Sequence, residues 1–214
     1  MYTKEQVIKI NQLITSIENR KKEDHTNIAS YKDINNLKEL ENFVYLELSH
    51  LPSLVLKKEV LTYLIENYQY MGRFVLTYKL HNILLKDMIY MYNLEMVSID
   101  EIIDMIYDAV RDRNYYIDDE CLDIKEIVIN TLQEFEFNTI FSKASKRSLN
   151  HDPIEMTDEY LNVIDKVERK IDENKTLTNK SSCYEIWSLK KEYLLEYNII
   201  WHTPKELNPR VMFD

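Results

Sequence analysis

The sequence predicts an all-α protein, an irregular bundle of six to eight helices around a central apolar helix at about 73–93. Glycine occurs once in 214 residues, whereas the tight turns of sheet proteins depend on glycine for positive φ. The stretch Arg73–Asn93 is apolar almost all the way round a helix, which is typical of a helix buried on several sides. Apolar residues recur at helical intervals in most of the other segments.

Capping residues and apolar spacing predict two helices before the centre. Thr3 and Gln6 have the spacing of a capping box, and the apolar pattern behind them predicts a helix over about 4–21. After a polar loop, Asp33 is predicted to cap a second helix. That helix is expected to end before Pro52, because the residue preceding a proline is biased away from the helical region.

The central helix is expected to have a helical neighbour on each side in the chain. Ser53 is predicted to begin a third helix, and Gly72 falls where that pattern meets the central one. Gly72 marks either the turn of a helical hairpin or a kink. Ser98 and Glu101 form a second capping box, and the helix behind them is expected to bury isoleucines and expose aspartates.

The second half of the chain continues the helical pattern. A long helical segment is predicted from about 120 to 145, followed by a break over 148–156. Thr157 or Asp158 is expected to open the next helix. A polar stretch over 172–182 then leads to the C-terminal part of the chain.

Two further caps and a short tail complete the architecture. Ser182 and Glu185 form a third capping box, and Thr203 with Glu206 repeats the logic with a proline at the first helical position. The whole chain is predicted to be one helical domain, with a sub-division near 148–156 as the alternative and a C-terminal tail over 199–214. Three aromatic residues are expected either to anchor this tail internally or to engage a partner, namely Trp187, Trp201 and Phe213.

Charge and composition exclude several classes of protein. The formal net charge of −10 opposes phosphate, so we expect no direct contact with nucleic acid. No window is long and apolar enough for a membrane span, and the N-terminus has no apolar signal-peptide core. Cys121 and Cys183 are too few for a secreted disulfide framework. These features predict a cytoplasmic protein without membrane contact or cofactor.

Two sequence motifs resemble parts of metal sites without completing them. Glu47 and His50 lie three residues apart and share one helical face, but a di-iron bundle needs a second such motif and two further glutamates. His151 and Asp152 form the dipeptide seen in HD phosphohydrolases, which also need an earlier histidine and a later aspartate on helices. The predicted loop around this dipeptide speaks against that assignment.

A calcium loop and a ligand histidine are the remaining chemical candidates. Asp112 and Asn114 begin like a calcium loop, but Ile117 stands where the turn requires glycine and Asp123 replaces the final glutamate. His81 lies toward the apolar side of the central helix, which predicts a core histidine paired to a neighbour rather than a ligand. A metal-dependent hydrolase using these histidines with nearby acids stays a minor alternative.

The strongest feature is a cluster of acids interleaved with tyrosines. Between residues 95 and 126 there are eleven acidic and three basic residues. One interpretation is a solvated face on two helices; the other is a docking surface, where acids steer a basic partner and tyrosines anchor it. The residues expected to bind this partner are Asp100, Asp104, Tyr107, Asp108, Tyr115, Tyr116, Asp118, Asp119 and Asp123.

The sequence therefore favours a non-catalytic acidic binding protein that neutralises or regulates a basic protein partner. An immunity protein or antitoxin that covers the active site of a toxin or nuclease is the kind of protein meant. The alternative is a helical adaptor or structural module, viral or phage-encoded, that binds a helix in a groove. The oligomeric state is left open by the sequence.

Overall fold

A computed structural model describes residues 1–24, 26, 29–46, 51–113, 122–128, 131, 138, 149–175 and 182–213. All regular secondary structure in these residues is helical, which confirms the all-α fold class. The described chain divides into two compact units, one within 1–138 and one within 149–213. The single domain over 1–214, and its sub-division near 148–156, stay predictions, and each unit is described by itself.

The described helices follow the predicted order along the chain. In the first unit they are α1 (Lys4–Glu23), α2 (Ile34–Val44), α3 (Leu51–Tyr70), α4 (Phe74–Asn93), α5 (Ile99–Arg113) and α6 (Leu122–Val128). In the second unit they are α7 (Asp158–Lys175), α8 (Cys183–Leu195) and α9 (Pro204–Leu207). Short 3₁₀ turns at Tyr31–Asp33 and Pro153–Met156 precede α2 and α7.

Asp33 lies at the N-cap position of α2, as the sequence predicts, but its side chain does not cap the helix. Asp33 makes no side-chain hydrogen bond to the N-terminus of α2, because its backbone is already helical (φ −94°, ψ −7°) where the 3₁₀ turn runs directly into the helix. Its buried carboxylate instead accepts a hydrogen bond from the Ser30 N–H at 3.0 Å and pairs with Arg20 at 2.7 Å. Asp33 therefore closes the 3₁₀ turn and ties it to α1.

Gly72 is the turn of a helical hairpin, not a kink. Its φ of 69° lies in the left-handed region, and no atom lies within 4 Å of where a Cβ would stand. The backbone conformation, rather than lack of space, therefore favours glycine. Helix α3 begins at Leu51, two residues before the predicted Ser53, because Pro52 is tolerated in the first turn of a helix.

Helix α4 is the central helix that the sequence predicts. It packs against α3, α5 and α6, and eight of its residues are buried, including a histidine and a threonine. A buried leucine or methionine contributes about 1.5–3 kcal/mol relative to an exposed one, so this face carries much of the core's stability. The buried apolar residues of α4 are Val75, Leu80, Leu84, Leu85, Met88 and Met91.

The predicted capping boxes form as expected in both units. At α1, the Thr3 side chain accepts a hydrogen bond from the Gln6 N–H at 3.2 Å, and the Gln6 side chain accepts one from the Thr3 N–H at 2.8 Å. The boxes of α5, α8 and α9 show the same reciprocal pattern. Each satisfies two backbone N–H groups that a helix start otherwise leaves unpaired. Of the long helix predicted over 120–145, α6 lies within the described residues and most of the remainder lies outside them.

The second unit has its own apolar core. Helices α7 and α8 pack on each other, and the segment after α8 closes one side of their interface with Trp201, which is 2% exposed. Phe213 stacks edge-on against Trp187 with ring centroids 5.0 Å apart. The described part of the tail is therefore anchored internally. The buried core residues are Tyr160, Ile164, Val167, Ile171, Leu194, Ile199 and Trp201.

Candidate functional site

The exposed side of α5 carries an acidic stripe, defined here as Asp100, Asp104, Tyr107, Asp108 and Arg111. Their spacing along a helix places all five within about 100° of arc and along about 17 Å of axis. The opposite side of α5 buries Ile102, Ile106, Ala109 and Val110 in the core. The amphipathic pattern of the sequence fixes this orientation, because the isoleucines must face α4.

The free charge of the stripe rests on two of its acids. Asp100 and Asp104 are exposed, and neither makes an ion pair with any other residue in the described ranges. Asp108 already pairs with Arg111 at 3.0 Å. Asp100 and Asp104 lie one helical turn apart, so two carboxylates without a cationic partner among the described residues stand about 6 Å apart along the helix.

The neighbouring Glu101 does not add to that free charge. Its carboxylate accepts the Ser98 N–H at 2.9 Å and pairs with Lys58 at 3.0 Å. The Ser98 backbone and the Lys58 ammonium lower the pKa of Glu101 below its ordinary value. Glu101 is thus committed to capping α5 and to joining it to α3.

An exposed apolar corner precedes the acidic stripe in the chain. Tyr92, Leu94 and Met96 are 36%, 42% and 41% exposed, and Glu95 between them adopts a left-handed φ of 58°. Tyr107 adds a further aromatic side chain at 39% exposure. Apolar side chains rimmed by charge are characteristic of protein-binding surfaces. Sequence reasoning missed this corner, although the capping box at Ser98 does place 94–97 outside both helices.

The structure brings part of the predicted partner-binding set together. Asp100, Asp104, Tyr107 and Asp108 lie on one stripe of α5. The remaining predicted residues cannot be placed with them: Tyr115, Tyr116, Asp118 and Asp119 lie outside the described residues, and so does the side chain of Asp123, whose backbone belongs to α6. Their contribution to a binding surface stays a prediction.

Asp112 is one of the eleven acids between residues 95 and 126, but it does not lie on the exposed side of α5. Its side chain is fully buried because the step from Asp108 turns it a further 40° or so around α5, past the edge of the exposed side. The Oδ2 atom accepts hydrogen bonds from Thr77 Oγ1 at 2.8 Å and Gln69 Nε2 at 3.0 Å. Asp112, the first residue of the calcium-loop pattern that the sequence already disfavours, lies within helix α5.

His81 faces Asp112 across the α4–α5 interface. Its Nδ1 lies 3.4 Å from Asp112 Oδ2, and both side chains are at most 2% exposed. Burial lowers the pKa of His81 to about 4, and burial raises the pKa of Asp112 despite donors from Gln69 and Thr77. His81 is therefore a core histidine, as the sequence indicated, but its Nδ1 makes no hydrogen bond to a described residue, and a substrate has no access to either group.

The HD dipeptide has a structural role in the second unit. Asp152 Oδ1 caps the 3₁₀ turn by accepting the Ile154 N–H at 3.1 Å. Its Oδ2 accepts the His202 N–H at 2.6 Å and lies 2.9 Å from His202 Nδ1. His151 Nδ1 lies 3.8 Å from Glu155 Oε2. This arrangement fastens the chain after α8 to the turn before α7.

The described side chains give no evidence for a metal site. Among the residues that the structure describes, no group of three or more histidine, cysteine or acidic side chains is positioned to hold a metal ion. Glu47 and His50 lie outside the described residues. The hydrolase alternative therefore has no assembled site to rest on within the described ranges.

Comparisons with known proteins give no information about function. No protein-family model, no curated protein and no solved structure matches the chain. Within the described ranges, every helix is too short or too polar to cross a membrane.

Proposed function

We propose that this chain is a non-catalytic acidic binding protein whose α5 stripe docks a basic protein, as an immunity protein or antitoxin covers a toxin or nuclease. The observation that carries the proposal is the pair Asp100 and Asp104, exposed side by side without a cation from the described residues. A cytoplasmic location, no direct contact with nucleic acid and no catalytic role are parts of the same proposal.

The chemistry of the stripe suits fast and selective docking. Uncompensated carboxylates raise the rate of encounter with a cationic surface, an effect that salt screens. Tyr107, exposed beside them, supplies contact area with little loss of conformational entropy. A partner that fits presents lysines or arginines spaced about 6 Å apart, the axial spacing of Asp100 and Asp104.

The apolar corner supplies the desolvated part of the interface. Leu94 and Met96 are exposed immediately before the cap of α5. Binding energy in protein interfaces concentrates in buried apolar and aromatic anchors, while rim charges act on rate and specificity. The partner is therefore expected to receive Leu94 and Met96 in an apolar pocket bordered by basic residues.

A charge-reversal experiment tests the proposal. The double variant Asp100→Lys, Asp104→Lys is expected to capture its partner from the source cell at least about tenfold more weakly, with a flatter salt dependence. The matched control Glu59→Lys, Glu192→Lys makes the same change of charge at exposed sites elsewhere. Equal capture by wild type and the α5 variant removes the stripe from the binding surface.

The adaptor alternative is favoured by the exposed apolar corner rather than by the acidic stripe of α5. The double variant Leu94→Ser, Met96→Ser removes its two exposed aliphatic side chains. If this variant loses the partner while Asp100→Lys, Asp104→Lys retains it, apolar recognition of the adaptor type is the better account. Loss in both variants fits the acidic binding protein with an apolar anchor.

A further inference from the structure

A crevice of about 420 Å³ lies where the end of α2 meets α3 and α4. Ligand-binding cavities have volumes of about 300–1,000 Å³, so the crevice has room for a small molecule. Val44, Leu46 and Ile83 give it apolar walls. It shares no residue with the acidic stripe of α5, and a proposal about one does not depend on the other.

Lys57 places a buried positive charge in this crevice. Its side chain is only 6% exposed, and its Nζ lies 2.9 Å from Asp87 Oδ2. Lys57 and Asp87 therefore form a close ion pair, and Lys57 makes no other polar contact with a described residue. An ammonium has three N–H donors, so Lys57 has donors beyond this ion pair that no described residue accepts.

The crevice is positive although the chain as a whole is negative. Lys57, Lys86 and Asp87 line it together, which leaves one positive charge in a chain of net charge −10. Lys86 is exposed and has no ion-pair partner in the described ranges. A buried charge whose hydrogen bonds are incomplete is costly, and an anion that completes them removes that cost.

We propose that the crevice binds a small monocarboxylic acid with a compact apolar body. One carboxylate matches the single excess positive charge and accepts the N–H groups of Lys57 that do not face Asp87, while Lys86 pairs with it from the solvent side. The apolar body lies against Val44, Leu46 and Ile83. A charge-assisted hydrogen bond from a buried ammonium is about twice as strong as a neutral one, so the carboxylate, rather than the apolar body, sets the specificity.

Titration of the isotope-labelled protein with octanoate, followed by NMR amide shifts, tests this proposal. Saturable shifts are expected at residues of the crevice. Two probes with the same chain length isolate the carboxylate: 1-octanol is expected to bind at least about tenfold more weakly, and octylammonium is expected not to bind there. Absence of saturable octanoate binding, or equal binding of octanol, overturns the proposal.

Variants at the two lysines locate the site. Lys86→Gln is expected to weaken octanoate binding by about threefold, as for a partly screened charge, whereas Lys79→Gln makes the same change on α4 away from the crevice and leaves binding unchanged. The double variant Lys57→Met, Asp87→Asn removes the buried pair without leaving a lone charge, and is expected to abolish binding in a protein that still folds. Wild-type affinity in that variant contradicts the assignment.

Two further arms define the ligand and separate this site from α5. An acetylated Ala-Leu-Leu peptide tests whether the carboxylate can come from a chain terminus, with its C-terminal amide as the control. Tighter binding of the peptide acid than of octanoate overturns the small-acid assignment. Asp100→Lys, Asp104→Lys is expected to bind octanoate normally, so failure of the docking surface and failure of the crevice are separate results.

Discussion

Asp112 in the first unit and Glu155 in the second are both buried acids with a histidine nearby, yet their pKa values shift in opposite directions. Burial is the largest influence on Asp112 and raises its pKa, although Thr77 and Gln69 donate hydrogen bonds to it and Arg111 Nε lies 3.5 Å from its Oδ1. Burial also acts on Glu155, but its histidine, lysine and indole neighbours together lower its pKa below the ordinary value.

The geometry of Glu155 explains this reversal. Its Oε1 accepts the Trp201 indole N–H at 2.7 Å and lies 3.8 Å from Lys190 Nζ. The same ammonium lies over the Trp201 ring, 4.3 Å from its centroid. Both carboxylates have hydrogen-bond donors and a cation within 4 Å, so the sign of each pKa shift depends on whether these neighbours outweigh the cost of burial. The neighbours of Glu155 outweigh its burial, whereas those of Asp112 do not.

The largest predicted effect is the loss of the Trp201 indole, which donates a hydrogen bond to Glu155. Trp201→Ala removes a side chain that is 2% exposed and leaves Glu155 without its closest donor, so the second unit is expected to lose about 3–5 kcal/mol of stability. Hydrogen exchange of the α7 amides measures it. Leu195→Ala truncates an apolar residue that is 62% exposed and is expected to change stability by about 0.5 kcal/mol or less. Equal exchange in the two variants breaks the comparison.

The second prediction concerns pH and the histidine beside Asp112. Because burial lowers the pKa of His81 to about 4, the unfolded chain binds more protons than the folded one between that value and 6.5. The contribution of His81 to the stability of the first unit is therefore expected to fall by about 3 kcal/mol as pH drops from 6.5 to 4. His81→Gln is expected to flatten this part of the profile, measured by urea denaturation at several pH values.

The pH dependence assigned to His81 needs a control, because other charged groups lie near its imidazole. Asp112 and Arg111 face it from α5, with Asp108 one turn away. Asp108→Asn serves as the control, because Asp108 is 40% exposed and paired with Arg111. An unchanged slope in His81→Gln together with a flattened one in Asp108→Asn contradicts the assignment to the histidine.

The third prediction is that Asp112 and Glu155 make the stability depend on pH in opposite directions. The contribution of Asp112 is present below its unfolded pKa and lost as pH rises through its raised folded value, so Asp112→Asn is expected to gain stability relative to wild type as pH increases. The contribution of Glu155 is present above its unfolded pKa and lost as pH falls through its lowered folded value. Glu155→Gln is expected to cost about 1.5–3 kcal/mol at pH 7, less in acid. Slopes of the same sign refute the contrast.

The smallest predicted effect belongs to an exposed acid on the same helix as Asp112. Asp104 is exposed and unpaired within the described residues, so Asp104→Asn is expected to change stability by about 0.5 kcal/mol or less at any pH. Thermal denaturation measures the difference. A loss comparable with that of Glu155→Gln shows that Asp104 has a structural partner, which also weakens its role in docking.

Local sequence chemistry accounts for much of this molecule. A capping box needs only two residues three positions apart, and all four predicted boxes form. Asp33 shows the limit of such reasoning, because a residue suited to capping is diverted once a 3₁₀ turn brings Arg20 within 2.7 Å of it. The central helix was predictable because an all-round apolar helix has few places except a core.

The candidate site was predictable only in part. The period of aspartates along α5 predicts one acidic face, but it does not separate Asp104, which is exposed, from Asp112, which is buried against Thr77. That difference arises from contacts with α3 and α4, which lie far from Asp112 in the sequence. The crevice at Lys57 left no local signal either, because it depends on Asp87, thirty residues away, and on the end of α2.

The sequence by itself determined the helical class, the helix starts that carry capping boxes and the burial of α4, because these follow from spacing within a few turns of chain. Tertiary structure decided which acids face solvent, that Gly72 turns the chain back, and where Trp201 lies. Those outcomes depend on contacts between residues far apart in sequence, where the charge and burial of each neighbour set the energy of the other.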